Sequence, residues 1–203
     1  MSMRIAVLVS GNGSNLQALL DASRSGALNA EIVGVVSSRP GVLALERARS
    51  AEIEHAVVQP VEDEPRKTYD GRLRDVVSSW QPDVVVLAGF MRILSPTFLD
   101  AFAGRVINVH PALPGELPGI GAIERAYAEA QAGIRTRSGV MVHLVPDEGV
   151  DCGPILAAVE VPMVASETLE TFANRMHAAE HQLLVGAVTD FITRLTSTQG
   201  VSP

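Results

Sequence analysis

Apolar residues fall along this chain in short continuous runs, separated by stretches in which they return at every third or fourth position. The runs at residues 4–10, 31–38, 55–58, 83–88 and 105–110 are read as strands, and those at 4–10 and 83–88 suit strands buried on both faces of a parallel sheet. Residues 15–22, 42–50, 63–80 and 95–102 carry helical spacing. Leu43, Leu45 and Ala48 form one candidate inner face, and Tyr69, Leu73, Val76 and Val77 another. Strand and helix alternate, which predicts a Rossmann-like, doubly wound, mostly parallel α/β sheet. The pattern then changes. Residues 111–121 hold three prolines and three glycines and must be a loop. Residues 122–132 return to helix. Residues 138–145 and 155–161 read as antiparallel strands at the C-terminal side of the sheet. Residues 168–195 read as one long C-terminal helix, with Ser166 and Glu170 hinting at a capped start. The expected organisation is a single domain over 1–195 and a polar, frayed tail over 196–203.

Length and composition narrow the classes. The chain has 203 residues, enough for one well-packed core. Hydrophobic residues make up 47%, yet no apolar run approaches the roughly 18 residues of a membrane span. The N-terminus lacks the layout of a secretory signal, and the lone cysteine, Cys152, rules out an internal disulfide. A cytoplasmic protein is the simplest expectation. Net charge is −7, aromatic residues are 4%, and there is no long basic run. Nucleic-acid binding is therefore disfavoured, while a small anion held by local N–H groups and one or two arginines remains open.

Candidate chemistry gathers where strands end. Asn108 and His110 stand two apart on a strand that Pro111 stops, so they share a face at its carboxyl end, where open α/β sheets bind ligands. An amide donor beside an imidazole suits a developing oxyanion and a proton transfer, although a satisfied polar pair fits as well. Ser10-Gly11-Asn12-Gly13-Ser14-Asn15 joins a strand to a helix, as a phosphate-binding turn does. Leu16 replaces the third glycine of a dinucleotide fingerprint, and Ser14 as a plain helix cap is the other reading. The 89–94 segment, with Met91, Arg92, Ile93 and Leu94, could wall the pocket of a flat ligand or pack beneath the next helix. Asp151 lies in a turn-rich loop, where it could face His110 or cap Gly153, with Asp147 and Glu148 as solvated neighbours. His143 sits in an apolar strand, and nothing in the spacing of histidines and cysteines supports a metal. His177 and Glu180 share a face of the last helix, either as a substrate contact or as a solvated polar surface.

Together these segments resemble the folate-dependent formyltransferases. The resemblance is carried by residues 9–17, 88–95, 108–113, 142–145, 151–155 and 179–181, in order over nearly the whole chain. It is strongest to the members that formylate a ribonucleotide amine. It implies transfer of the formyl group of 10-formyltetrahydrofolate, as co-substrate, to the amine of 5-phosphoribosylglycinamide in de novo purine biosynthesis, without a metal. It implies that Asn108, His110 and Asp151 are catalytic, and that Gly13, Ser14, Asn15, His177 and Glu180 bind the ribonucleotide. Arg66, Met91, Arg92, Ile93, Leu94 and Asn108 would bind the folate. The partners implied are small molecules only, with no nucleic acid or membrane, and the chain would be a monomer or a homodimer. A formyltetrahydrofolate hydrolase-like enzyme and a non-catalytic sugar-phosphate-binding protein are the alternatives. Two departures fall in the site. Residues 110–123 differ from the family's His-Pro-Ser-Leu-Leu-Pro pattern and its His- and Thr-rich continuation, and 146–151 is one residue longer than common versions.

Overall fold

The computed structural model describes residues 2–164 and 166–199. Seven strands form one sheet: β1 (Met3–Val9), β2 (Ala30–Ser37), β3 (His55–Val57), β4 (Val84–Leu87), β5 (Val106–His110), β6 (Arg137–Leu144) and β7 (Ile155–Pro162). Their spatial order is β3-β2-β1-β4-β5-β6-β7. The first five strands pair in parallel, while β6 runs antiparallel to β5 and to β7. The helices are α1 (Ser14–Ser25), α2 (Leu43–Ser50), α3 (Arg66–Ser79), α4 (Pro96–Leu99), α5 (Ala122–Gln131) and α6 (Leu169–Gln199), with a 3₁₀ turn, Asp100–Phe102, directly after α4.

The doubly wound class thus follows from the sequence pattern, and its physical basis is strand alternation. Ile5, Val7 and Val9 face one side of the sheet with Val84, Val86, Ile107 and Val109, packing on Leu16 and Leu19 of α1 and on Phe172, Met176, Leu184 and Val188 of α6. Ala6 and Leu8 face the other side with Val85, Leu87 and Val106, against Tyr69, Leu73 and Val77 of α3 and Phe98 and Leu99 of α4. A continuous apolar run is what a strand covered on both faces requires.

The winding creates the site. From β1 the chain moves outward through β2 to β3, then returns to lay β4 on the other side of β1. Connections that leave neighbouring strands in opposite directions open a crevice at their carboxyl ends.

Several boundaries differ from expectation. Helix α3 starts at Arg66, not at residue 63: Asp63 has φ 57°, and Glu64, preceding Pro65, is disfavoured from helical geometry. The last helix is not capped by Ser166, whose φ of 63° is left-handed. Thr168 caps it instead, accepting from Thr171 N–H at 3.2 Å. That helix continues through Gln199, so 196–199 are helical, and residues 200–203 lie outside the described residues. Asp70, within the helix expected over 63–80, is fully buried and accepts from Ser95 N–H at 2.7 Å, fastening α3 to the start of α4.

One packing contact gives a stability prediction. A Cβ built on Gly34 of β2 would lie 2.2 Å from the Trp80 indole ring, which is itself buried. Gly34→Ala is expected to cost roughly 1–3 kcal/mol as the ring is displaced. Urea unfolding checks this, and an unchanged midpoint would show that Trp80 moves freely.

Candidate active site

A cleft of about 780 Å³ opens at the crevice. Its floor is the carboxyl ends of β1, β4 and β5, and its walls come from residues 10–15, 87–94 and 119–124, the 145–151 loop and the inner face of α6.

Asn108 and His110 project from the end of β5 on the same side as Val106, as alternation requires. Asp151 reaches them from the loop between β6 and β7. Its Oδ1 accepts from Asn108 Nδ2 at 3.1 Å, and its Oδ2 lies 3.3 Å from His110 Nδ1. The same Oδ2 accepts from Gly119 N–H at 2.8 Å. Asp151 therefore faces His110 and does not cap Gly153. Its φ of 52° is a left-handed conformation that aspartate and asparagine tolerate better than most residues. The other ring nitrogen of His110, Nε2, meets Leu117 C=O at 3.0 Å. Both nitrogens thus face acceptors, which favours a protonated ring, but burial acts more strongly. His110 is 4% exposed, and burial lowers its pKa below the ordinary histidine value, against the opposing Asp151 charge. Burial also opposes the charge on Asp151. Contacts with His143, Gly119 N–H and His110 outweigh it and hold the carboxyl below its usual range.

His143 completes the group. It pairs with Asn108 across the β5–β6 register, so the two side chains stand side by side. His143 Nδ1 donates to Leu144 C=O at 2.8 Å, and its Nε2 stands 3.1 Å from Asn108 Nδ2 and 3.6 Å from Asp151 Oδ1. The Asn108 amide is fixed with its nitrogen toward the Asp151 carboxylate.

At another wall, Gly13 begins α1 with φ 76° and no side-chain cap, so Ser14 is the first helical residue and not the cap. A Cβ on Gly13 would lie 2.8 Å from Ala44 Cα, so the turn closes against α2 only because position 13 is glycine. The uncapped N–H groups of the first turn suit an anion. Asn15 Nδ2 donates to Glu180 Oε1 at 3.3 Å, and Glu180 Oε2 pairs with His177 Nδ1 at 2.7 Å. That hydrogen bond raises the His177 pKa against partial burial. Glu180 is 5% exposed, so it is part of the cleft wall and not of a solvated helix face.

Residues 3–188 match the formyl transferase family. The chain belongs to that family. It is 40% identical over 201 residues to a phosphoribosylglycinamide formyltransferase of Dictyostelium discoideum, covering 93% of this chain and 97% of the relative. It is 39% identical to a phosphoribosylglycinamide formyltransferase of Escherichia coli, covering 89% of this chain and 83% of the relative. A solved phosphoribosylglycinamide formyltransferase from Bacillus halodurans superposes with a TM-score of 0.87 at 33% identity, covering 95% of this chain and 96% of the other.

Within this formyl transferase, the segments picked out by sequence are not all gathered. Met91, Arg92, Ile93 and Leu94 line the cleft, and Met91 N–H donates to Ser10 Oγ at 2.9 Å, tying the 89–94 segment to the end of β1. The Arg92 guanidinium lies 4.7 Å over the Tyr69 ring. Arg66 is not among the residues lining the cleft. It pairs with Glu148, which is therefore not simply solvated. His143, Leu117 and Gly119 were missed as members of the site. His143 is visible only once the β5–β6 register is known, and Leu117 and Gly119 contribute backbone groups, which side-chain patterns do not report.

Proposed function

We propose that this chain transfers the formyl group of 10-formyltetrahydrofolate to the amine of 5-phosphoribosylglycinamide, in de novo purine biosynthesis in the cytoplasm, with no metal. What supports the reading is the convergence of Asn108, His110 and Asp151 in a cleft that also holds the anion-suited turn at Gly13. The phosphate sits at the N–H groups of Gly13, Ser14 and Asn15, with His177 and Glu180 beside the ribose and amine. The folate lies along the wall of residues 91–94. In the step, the amine nitrogen bonds to the formyl carbon and the bond from that carbon to the folate nitrogen breaks. The intermediate carries a negative oxygen, to which Asn108 donates one N–H by exchanging a contact with His143 or Asp151 and the His110 ring donates by exchanging its contact with Leu117 C=O. The proton lost by the new ammonium is the one the neutral His110 takes up, the Asp151 carboxylate holds the resulting imidazolium, and the imidazolium then gives that proton to the leaving nitrogen.

Purified protein supplied with both substrates tests this. Folate product that appears only with the ribonucleotide present is the expected result. Product from the folate alone would make the chain a hydrolase, and no product would leave a binding protein.

A further inference from the structure

The 117–119 turn, which supplies Leu117 C=O to His110 and Gly119 N–H to Asp151, does not hold itself in place. Leu117 has φ 45° and Gly119 has φ 80°, so two of its three residues are left-handed, one of them bulky. Three successive carbonyls there converge on the guanidinium of Arg125, one turn into α5. Its Nη2 donates to Leu117 C=O at 2.8 Å and Pro118 C=O at 2.7 Å, and lies 3.5 Å from Gly119 C=O. Its Nε reaches Gly121 C=O at 3.4 Å. Leu117 C=O therefore accepts from His110 and Arg125 together.

We propose that Arg125 is a positioning residue: by gathering these carbonyls it sets the turn against His110 and Asp151 and fixes the orientation of both. This rests on the formyl-transfer reading for its kinetic consequence, although the geometry stands apart from it. The charged and titratable groups facing His110 are Asp151 from the 145–151 loop, His143 from β6 and Arg125 from α5. Arg125 acts through the turn and as a nearby positive charge that disfavours the imidazolium.

The test uses Arg125→Met, which keeps the apolar stem, and Arg125→Lys, which keeps the charge without the planar fork. Kinetics are read beside the titration of the histidine ring protons by NMR without substrates. In Arg125→Met, kcat is expected to fall about 100-fold, the scale of a small misplacement of reacting groups. KM for both substrates changes little, and the His110 midpoint shifts, because the Leu117 carbonyl that raises it, and the burial and Arg125 charge that lower it, all change when the turn is released. Arg125→Lys recovers part of both. Wild-type kcat in Arg125→Met overturns the proposal, and so does a fall in kcat with an unshifted His110 midpoint. Should Arg125→Met not fold, Arg125→Lys decides alone: reduced kcat with a shifted midpoint supports the proposal, and wild-type values for both overturn it. A wild-type protein with no formyl transfer refutes the functional reading, while the titration still decides the role of Arg125.

Discussion

Asp151→Asn is expected to lower kcat by about 10²–10⁴-fold, the range that a positioned acid–base group contributes, with little change in KM for either substrate. Asparagine tolerates the left-handed backbone at this position, where φ is 52°. An alanine there would confound lost chemistry with strain. With its amide oxygen on Gly119 N–H the asparagine keeps the loop's anchor, but its nitrogen then replaces the acceptor of Asn108 Nδ2, and the negative charge facing His110 Nδ1 is gone. That charge is what opposes burial at the imidazole. Without it the His110 pKa falls further, and the imidazolium that forms during the reaction loses its counter-charge. The pH profile carries the same sign. His110 already lies below the ordinary histidine value, so the neutral ring persists to lower pH than in a free imidazole. The acid limb of kcat/KM should move lower still in the residual activity of the variant. Retention of a tenth or more of the wild-type kcat would remove Asp151 from the mechanism.

The fold was legible because burial on both faces leaves a mark in one dimension: the runs at β1 and β4 are continuous, and their alternate residues divide between two cores. Asn108 and His110 were legible for a related reason. A spacing of two before a proline fixes both their face and their end of the strand. Asp151 is harder, since nothing local says which way its loop turns. Only its neighbours Cys152, Gly153 and Pro154 marked it. The start of α3 was misplaced because helical spacing runs back through Asp63, while the backbone there is left-handed and Pro65 restricts Glu64. What stayed hidden depends on relations between distant segments. His143 enters the site through pairing register, Asp70 is buried because α4 begins against it, and Leu117 and Gly119 act through the backbone. Arg66 shows the converse. The resemblance implied a folate contact for it, yet it lies outside the residues lining the cleft and pairs with Glu148 from the 146–151 loop.

Asn108→Ala should cost about 10²–10³-fold in kcat, the loss seen when one oxyanion donor is removed. The amide is held between His143 Nε2 and Asp151 Oδ1, each at 3.1 Å. The donor atom is therefore held in place before the reaction begins, and one of these two contacts is exchanged for the formyl oxygen as it becomes negative. Truncation also removes the buried amide that contacts both His143 Nε2 and Asp151 Oδ1, which should appear in urea unfolding as a loss of about 1–3 kcal/mol. The informative experiment is the pair. Asn108 and Asp151 touch, so each single change already breaks their shared contact and loosens the partner. Asn108→Ala combined with Asp151→Asn should then lose little more than Asp151→Asn alone, as expected for residues that act as a unit. If the two losses instead multiply in full, the asparagine stabilises the oxyanion independently of the carboxylate. The hydrogen bond between them would then be a consequence of packing at the β5 terminus and not a part of the chemistry.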